Sequence, residues 1–275
     1  MTELLQALAI VLVGYGTMCL YAVIMAERLI FPAPPSSYSE DAVRLRVPAD
    51  DGSEIAALWL PCEEPKATLL YCHGNAEDLG DIRPVIERYV ARGYAVLAVE
   101  YPGYGQTEGS PSEEGCCLAA DAGWDYLRES LGIPASEIIV YGRSLGGGPA
   151  TDLASRQPVG GLVLDGTFTS CFRVQTRVKV LPWDVFDSLG KIPETRCPLL
   201  SLHGAVDRII SWKHAHQLYG AAPGKRMRLW CLTAGHNDLM DKAGEEYWRT
   251  LDAFAELVKT EAKADLEKGP VAVAS

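Results

Sequence analysis

Short apolar runs alternate with amphipathic stretches along most of the chain. The apolar runs between residues 68 and 232 read TLLYC, AVLAVEY, EIIVYG, GLVLD, PLLSLHG and RMRLWCL. The amphipathic stretches that separate and follow them predict helices near 81–92, 112–130, 145–156, 211–219 and 243–262. Apolar strands of this kind are covered by helices on both faces, so the alternation predicts a mostly parallel, doubly wound α/β sheet.

Two further strands precede these runs. Val43–Val47 and Ile55–Leu60 flank the turn-forming sequence ADDGS and predict an antiparallel pair. In doubly wound sheets, ligands bind beyond the carboxyl ends of the strands. Chemically active residues are therefore expected just after each apolar run.

The amino-terminal segment has a different pattern. Leu4–Ala26 contains no charged residue, and as a helix it would extend about 34 Å, enough to cross a bilayer core of about 30 Å. It predicts a membrane anchor over residues 1–27. A cleaved signal peptide and a buried terminal helix are the alternatives. The first residues carry no Lys or Arg and no small-x-small site precedes Glu27, which argues against cleavage.

The residues after this segment indicate how the rest of the chain is arranged. Arginines follow it at positions 28, 44 and 46, whereas only the α-amine precedes it. The positive-inside rule therefore favours a main domain on the cytoplasmic side of a single-pass anchor. We expect this domain to occupy residues 28–262, with a short cap segment at 166–197. Residues 263–275 are small or charged without an apolar period and predict a flexible tail.

Charge and cysteine content exclude several classes of protein. The 275 residues carry a net charge of −11, which disfavours a nucleic-acid partner because phosphate binding needs a basic surface. The eight cysteines show neither zinc-ligand spacing nor a disulfide framework, and are expected to be apolar thiols in a reducing compartment. No metal and no cofactor is predicted.

Ser144 lies in a Gly-x-Ser-x-Gly pattern within VYGRSLGGGPATDLASR. The pattern alone is common, but here a strand precedes it and a helix start follows it, which is the context of a nucleophile elbow. Glycines at 142 and 146 allow strand and helix to pack closely around a serine in a strained conformation. We therefore predict that Ser144 is a nucleophile rather than part of a glycine-rich turn.

A serine nucleophile needs a base, and the base needs an acid to orient it. His236, in TAGHNDL, follows the last strand, which is the position of the base when the chain order is Ser, acid, His. Asp207, in LLSLHGAVDRII, follows the preceding strand and is the predicted acid. Asp165, at the end of the run GLVLD, is the rival candidate.

Acyl transfer also needs hydrogen-bond donors for the developing oxyanion. The N–H of Leu145, directly after the nucleophile, is one predicted donor. The second is expected in the loop YCHGNAEDLG, from the N–H of Asn75 with Ala76 as its neighbour. His73 is expected to hold this loop by hydrogen bonds rather than to act as a base.

Five motifs occur in a characteristic order: YCHGNAEDLG, VEYPGYGQTEG, VYGRSLGGGPATDLASR, LHGAVDRII and GHNDL. Together they resemble the α/β-hydrolase-domain serine hydrolases related to the membrane-associated protein depalmitoylases, whose bacterial relatives are described as serine-aminopeptidase-like or lysophospholipase-like. The resemblance covers about residues 28–260. It implies an eight-stranded α/β-hydrolase fold and carries over Ser144, Asp207 and His236 as a triad, with Asn75 and Leu145 at the oxyanion hole.

The chain departs from this family at the membrane. The cytosolic depalmitoylases attach through a lipidated cysteine cluster, whereas here an apolar segment contains only Cys19. This difference agrees with a membrane location but does not carry over the same substrate.

The cap and one further loop are expected to form the substrate pocket. A cap of about thirty residues predicts a shallow, open pocket. Val174 and Val178 recur at near-helical spacing among basic residues, which predicts an amphipathic piece. It would hold an acyl chain beside a membrane surface, or simply pack on the sheet. Tyr104, in YPGYGQTEG, is predicted to line the rim, although Pro-Gly-Tyr-Gly is also a turn signal.

These features favour a membrane-anchored hydrolase of carboxylic esters or thioesters, acting on a small-molecule, lipid or acylated substrate through an acyl-enzyme. A serine peptidase with the same triad is one alternative, and it would need an anionic clamp or a deeper cap. A non-catalytic binding protein on a hydrolase fold is the other. No oligomeric state is predicted. Arg143, beside the nucleophile, would bind an acidic or phosphate-bearing leaving group, or form a salt bridge to the sheet.

Overall fold

One eight-stranded sheet organises the chain. The structure is a computed structural model that describes residues 2–43, 45–176 and 180–268. The strands are β1 (Leu45–Pro48), β2 (Glu54–Leu60), β3 (Thr68–Cys72), β4 (Ala95–Val99), β5 (Ile138–Arg143), β6 (Gly161–Asp165), β7 (Leu199–Gly204) and β8 (Arg226–Cys231). They match the strands that the apolar runs predict.

The order of the strands places one crevice at the centre of the sheet. The order is β1-β2-β4-β3-β5-β6-β7-β8. The first two pairings, β1 with β2 and β2 with β4, are antiparallel, and all the others are parallel. The chain passes from β3 to β4 on one side and then to β5 on the other side of β3. The loops after β3 and β5 therefore diverge at a topological switch point, where ligands bind in such sheets.

Helices cover both faces of the sheet. Their bounds are α1 (Thr2–Ile30), α2 (Leu79–Ala91), α3 (Glu113–Asp125), α4 (Gly147–Arg156), α5 (Cys171–Thr176), α6 (Ser188–Lys191), α7 (Trp212–Ala221), α8 (Leu239–Ala243) and α9 (Glu245–Lys268). Helices α2 and α9 pack on one face, and α3 and α4 pack on the other. The central strands are buried on both faces, which explains their nearly continuous apolar sequences.

The last helix extends further than its periodicity predicts. It ends at Lys268, so residues 263–268, expected at the start of a flexible tail, are helical. The segment reads KADLEK, and each of these residue types except Asp has a high helix propensity. The helix therefore continues beyond the region that the apolar period predicts.

Helix α1 leaves most of its apolar surface uncovered. Its segment Glu3–Met25 has 23 residues and a mean hydropathy of 2.2, long and apolar enough to cross a membrane. Side chains such as Ile10 and Val13 are 73% and 69% exposed. Directly after α1, Phe31 is buried and packs edge-on against Phe186.

Asp78 connects the proline-rich segment that follows α1, FPAPPSSY at residues 31–38, to α2. Its buried carboxylate caps α2 by accepting from the N–H groups of Gly80 and Asp81 at 3.0 and 3.1 Å. It also accepts from the N–H of Ser37 at 2.6 Å and from the Ser37 hydroxyl. Burial alone would raise the pKa of Asp78, but these hydrogen bonds to the ionised form lower it below its ordinary value.

This arrangement predicts a pH-dependent stability. Because the pKa of Asp78 is lower in the folded chain, its contribution to stability is complete above the unfolded pKa of about 3.9. That contribution is lost as the pH falls through the folded pKa. We expect Asp78→Asn to lower the free energy of unfolding by about 1 to 2 kcal/mol at neutral pH. The difference from wild type should shrink in acid, as measured by chemical denaturation at successive pH values.

A neutral cap provides the matched control. The Ser112 hydroxyl caps α3 by accepting from the N–H of Gly115 at 3.0 Å. Ser112→Ala removes a hydrogen bond without removing a charge, so its effect should not change with pH. If the loss in free energy of unfolding caused by Asp78→Asn is also the same at neutral and acid pH, the assigned pKa shift is wrong.

Candidate active site

Ser144 stands at the tight turn between β5 and α4. Its φ is +50°, a conformation that non-glycine residues adopt only where the surroundings impose it. A Cβ on Gly142 would lie 2.6 Å from the carbonyl oxygen of Gly146, and a Cβ on Gly146 would overlap the carbonyl of Cys72. Both glycines of the motif are therefore required for β3, β5 and α4 to approach around the serine.

The strand ends bring the three predicted residues together. The Ser144 hydroxyl oxygen lies 3.1 Å from Nε2 of His236. Nδ1 of the same ring lies 2.6 Å from Oδ2 of Asp207. The imidazole can therefore donate its Nδ1–H to the carboxylate and accept the serine proton at Nε2.

The environment of Asp207 keeps it ionised. Burial raises the pKa of its carboxyl, but the hydrogen bond with His236 and those from the N–H groups of Ile209 and Ile210 lower it below the usual range. The rival, Asp165, accepts instead from the hydroxyl of Tyr141 at 2.8 Å. Asp207 is thus the carboxylate that contacts the histidine.

A second histidine lies behind Asp207. His203 is fully buried and its Nε2 donates to the carbonyl of Ile210 at 2.9 Å. The same nitrogen is 3.5 Å from Oδ2 of Asp207. Burial lowers the pKa of His203, which favours the neutral ring. Its hydrogen bond to Ile210 holds the turn that carries Asp207.

The loop after β3 faces Ser144 at the switch point. The N–H of Gly74 donates to the carboxylate of Glu77 at 2.7 Å, and the side chain of Asn75 donates to the carbonyl of Ile30 at 2.7 Å. Within the described part of the chain, no acceptor occupies the backbone N–H of Asn75. The N–H of Leu145 is also available, because it lies at a helix start. Ala76, the neighbouring candidate, has a φ of +78°.

His73 holds this loop from beneath, in agreement with its predicted role. Its Nδ1 lies 2.7 Å from the carbonyl of Gly74, and its Nε2 lies 2.8 Å from the carboxylate of Glu100. Burial lowers the pKa of His73, but Glu100 more than offsets this and raises it above the usual value. A buried imidazolium paired with Glu100 can donate to both acceptors at once.

A pocket of about 820 Å³ opens above the serine. Its polar end is formed by Asn75, Ser144, Leu145 and His236. The cap segment supplies mainly apolar wall residues: Phe168, Phe172, Val174, Val180 and Leu181. Val174 thus lies where it was predicted, whereas Val178 falls outside the described residues.

The structure corrects the prediction for Tyr104. Its side chain is fully buried and lies outside the lining of the pocket. Positive φ values at Gly103 and Gly105 fold the turn so that the ring packs against those of His73 and Tyr101, at centroid distances of 5.7 Å from each. The turn signal in Pro-Gly-Tyr-Gly therefore describes this segment better than a place at the rim.

Arg143 supports the loop that carries the histidine. Its guanidinium donates to the side-chain oxygen of Asn237 at 2.8 Å. Burial lowers the pKa of Arg143, but the carboxylate of Asp165, with that of Glu77, raises it overall. The hydrogen bond that the structure gives this side chain is therefore to the loop that carries His236, and both roles that the sequence leaves open stay predictions.

Helix α1 forms a wall of the pocket that the sequence does not predict. The cavity that contains Ser144 is also lined by residues of this helix: Met18, Tyr21, Ala22, Leu29 and Ile30. The length of the cap predicts a shallow pocket, but α1 adds a second apolar side. The apolar periodicity of α1 alone contains no signal for this contact, because it depends on how a terminal helix packs against distant loops.

The described residues hold no metal centre. Over 2–43, 45–176 and 180–268, no group of three or more His, Cys, Asp or Glu side chains is arranged to bind a metal ion. All eight cysteines lie in these ranges as free thiols.

Comparisons with known proteins agree with this fold. The sequence model of a family described as "alpha/beta hydrolase fold" matches residues 67–194. The esterase Pf2001 of Pyrococcus furiosus superposes with a TM-score of 0.67 at 19% identity, over 82% of this chain and 98% of that one. At this identity the likeness shows the fold alone.

Two relatives show a closer relationship. The Caenorhabditis elegans alpha/beta hydrolase domain-containing protein aho-3 is 36% identical over 185 residues, which is 65% of this chain but 55% of the relative's length. The human alpha/beta hydrolase domain-containing protein 17B is 32% identical over 234 residues, or 82% of this chain and 78% of the relative. Because sequence identity at this level extends over most of a relative's length, the chain belongs to the α/β-hydrolase family.

Proposed function

We propose that the chain is a serine hydrolase, held at a membrane by α1, that cleaves carboxylic esters or thioesters of acyl substrates. One observation carries the proposal: Ser144 Oγ, His236 and Asp207 form a continuous line of hydrogen bonds, 3.1 and 2.6 Å long, at the polar end of an apolar pocket. Serine, imidazole and carboxylate in this order generate a nucleophile at neutral pH.

The first half of the reaction transfers the acyl group to the enzyme. The Ser144 oxygen attacks the acyl carbonyl carbon while Nε2 of His236 takes its proton. The carbonyl oxygen becomes an oxyanion, which the N–H groups of Leu145 and Asn75 stabilise. When the carbonyl re-forms, the bond to the alcohol or thiol breaks, and this leaving group takes the proton from His236.

The second half releases the acid. Water attacks the acyl carbon of the Ser144 ester as His236 removes its proton, and the oxyanion forms again at the same donors. Collapse breaks the bond to Ser144 Oγ, which recovers its proton from His236. Asp207 stays ionised throughout, because its hydrogen bonds lower its pKa, and it stabilises the imidazolium in both halves.

The chemistry of the pocket favours an acyl chain over a peptide amine. Among its described lining residues, Glu77 is the carboxylate that could clamp a free substrate amine. That carboxylate already accepts from the N–H of Gly74, and it lies near the guanidinium of Arg143. The remaining walls are largely apolar, which suits an alkyl group.

The exposed apolar surface of α1 supports the membrane location. A helix with this length and exposure would lose little by entering a bilayer and would otherwise keep its apolar surface in water. Arg28, directly after the apolar segment, favours the cytoplasmic side for the hydrolase domain.

A substrate panel tests the proposal. We expect kcat/KM for p-nitrophenyl esters to rise by up to about fourfold for each added methylene group until the pocket is filled. Acyl thioesters of matched length should be turned over, and aminoacyl p-nitroanilides should be poor substrates. Faster cleavage of the aminoacyl amides would identify a peptidase. A folded chain that turns over none of the three classes would identify a binding protein.

A further inference from the structure

The wall that α1 contributes lies inside its candidate membrane span. Met18, Tyr21 and Ala22 line the pocket that contains Ser144, and all three fall within Glu3–Met25. They recur at intervals of three and four residues or are adjacent, so they share one helix face. The active-site pocket and the membrane segment are therefore parts of one structure.

Contacts at three levels hold α1 in this place. The carbonyl of Ile30, at the end of α1, accepts from the side chain of Asn75 at 2.7 Å. Phe31 is buried in the core directly afterwards. Deeper along the helix, the hydroxyl of Tyr15 donates to the carbonyl of Val180 in the cap segment at 3.1 Å. The helix is thus connected both to the loop after β3, which contains Asn75, and to the cap.

These contacts determine the depth in the bilayer at which the pocket opens. From Met18 to Met25 the helix rises about 10 Å, at 1.5 Å per residue. The pocket therefore runs beside roughly the last third of a span that needs about 30 Å to cross the bilayer. Tyr21 lies in this section, and tyrosine is enriched at the membrane–water interface. The mouth would then extend from the interface into the acyl-chain region.

The outward side of the same section is suited to lipid. Leu20, Val23 and Ile24 are 60%, 59% and 62% exposed. Across the pocket, the cap presents Phe172 and Val180. An alkyl chain between α1 and the cap would contact these apolar side chains on its way from the bilayer to Ser144.

We infer that the enzyme draws the acyl chain of its substrate directly from the bilayer, along the α1 face formed by Met18, Tyr21 and Ala22, and that this face selects for chain length. The inference rests on the proposed function, since it concerns the acyl group that Ser144 attacks. It assigns the membrane helix to the binding site for a membrane-resident fatty acyl ester or thioester.

The test compares two faces of α1 in the full-length protein, reconstituted into phosphatidylcholine vesicles. Ala22→Phe adds bulk to the pocket face, and Ile24→Phe places the same phenylalanine side chain two residues away, on the exposed side. The readout is the ratio of kcat/KM for p-nitrophenyl hexadecanoate to that for p-nitrophenyl acetate. Ala22→Phe should lower this ratio by about 15- to 60-fold, the loss of two to three buried methylene groups. Ile24→Phe should leave it unchanged.

The outcomes separate this inference from the proposed function. If Ala22→Phe leaves the ratio at the wild-type value, or Ile24→Phe lowers it equally, the path along α1 is wrong while ester hydrolysis stands. A wild-type protein that hydrolyses neither ester overturns both.

A second measurement uses the wild-type chain and does not depend on the folding of a variant. A hexadecyl fluorophosphonate carrying a mid-chain diazirine is attached to Ser144 and then irradiated. We expect its chain to cross-link the tryptic peptide Ser144–Arg156 to the peptide Met1–Arg28. Cross-links confined to the cap or to other loops would contradict the inference, whereas a failure of the probe to react with Ser144 would contradict the proposed function.

Discussion

Replacing Ser144 with alanine should lower kcat for an acyl ester by about 10³- to 10⁶-fold while leaving the fold intact. The substitution removes the only atom that can form the acyl-enzyme in the proposed reaction. His236 and the two oxyanion donors remain, so a small residual rate above the uncatalysed reaction is expected. Initial rates on a p-nitrophenyl ester, with thermal unfolding as the measure of folding, test this prediction.

Ser130→Ala is the matched control. Ser130 is exposed, precedes the amino-terminal end of β5 and does not line the pocket, so its removal should leave kcat unchanged. If Ser144→Ala retains an activity close to that of wild type, Ser144 is not the nucleophile.

The second large effect is expected at Asp207. In Asp207→Asn, the amide group can donate to Nδ1 of His236, which places the ring proton on Nε2. A protonated Nε2 cannot accept the proton of Ser144. A change of tautomer of this kind lowers kcat by about 10⁴-fold. Steady-state kinetics should show the loss in kcat more than in KM, because the pocket walls are unchanged.

Asp165→Asn tests the rival carboxylate with the same chemical change. Asp165 contacts Tyr141 and lies near Arg143, whereas Asp207 contacts the imidazole itself. We therefore expect Asp165→Asn to have a far smaller effect on kcat. A larger effect at Asp165 than at Asp207 would transfer the role of the acid to Asp165.

The sheet and the elbow were predictable because their causes are local. Fully buried strands must be apolar on both faces, and the turn at Ser144 admits no side chain at positions 142 and 146. The proximity of Ser144, Asp207 and His236 was predictable for a similar reason, since each comes just after a parallel strand and the carboxyl ends of such strands meet at one edge.

The features that the sequence did not predict depend on distant contacts. Tyr104 carries a turn signal, but only the positions of His73 and Tyr101 direct its ring into the core. The hydrogen bond between Asn75 and Ile30 joins the loop after β3 to the end of α1, 45 residues apart in sequence. Likewise, the apolar residues of α1 predict a membrane span, and nothing in their spacing shows which of them face the pocket.

A trapped intermediate tests the central claim most directly. The full-length protein is mixed with p-nitrophenyl hexadecanoate, quenched in acid within the first turnover, and digested with pepsin for mass spectrometry. Ser144 should carry one hexadecanoyl group, formed in step with a burst of p-nitrophenol. An acyl group on another residue, or turnover and release of p-nitrophenol with no adduct on Ser144, would contradict the proposed mechanism.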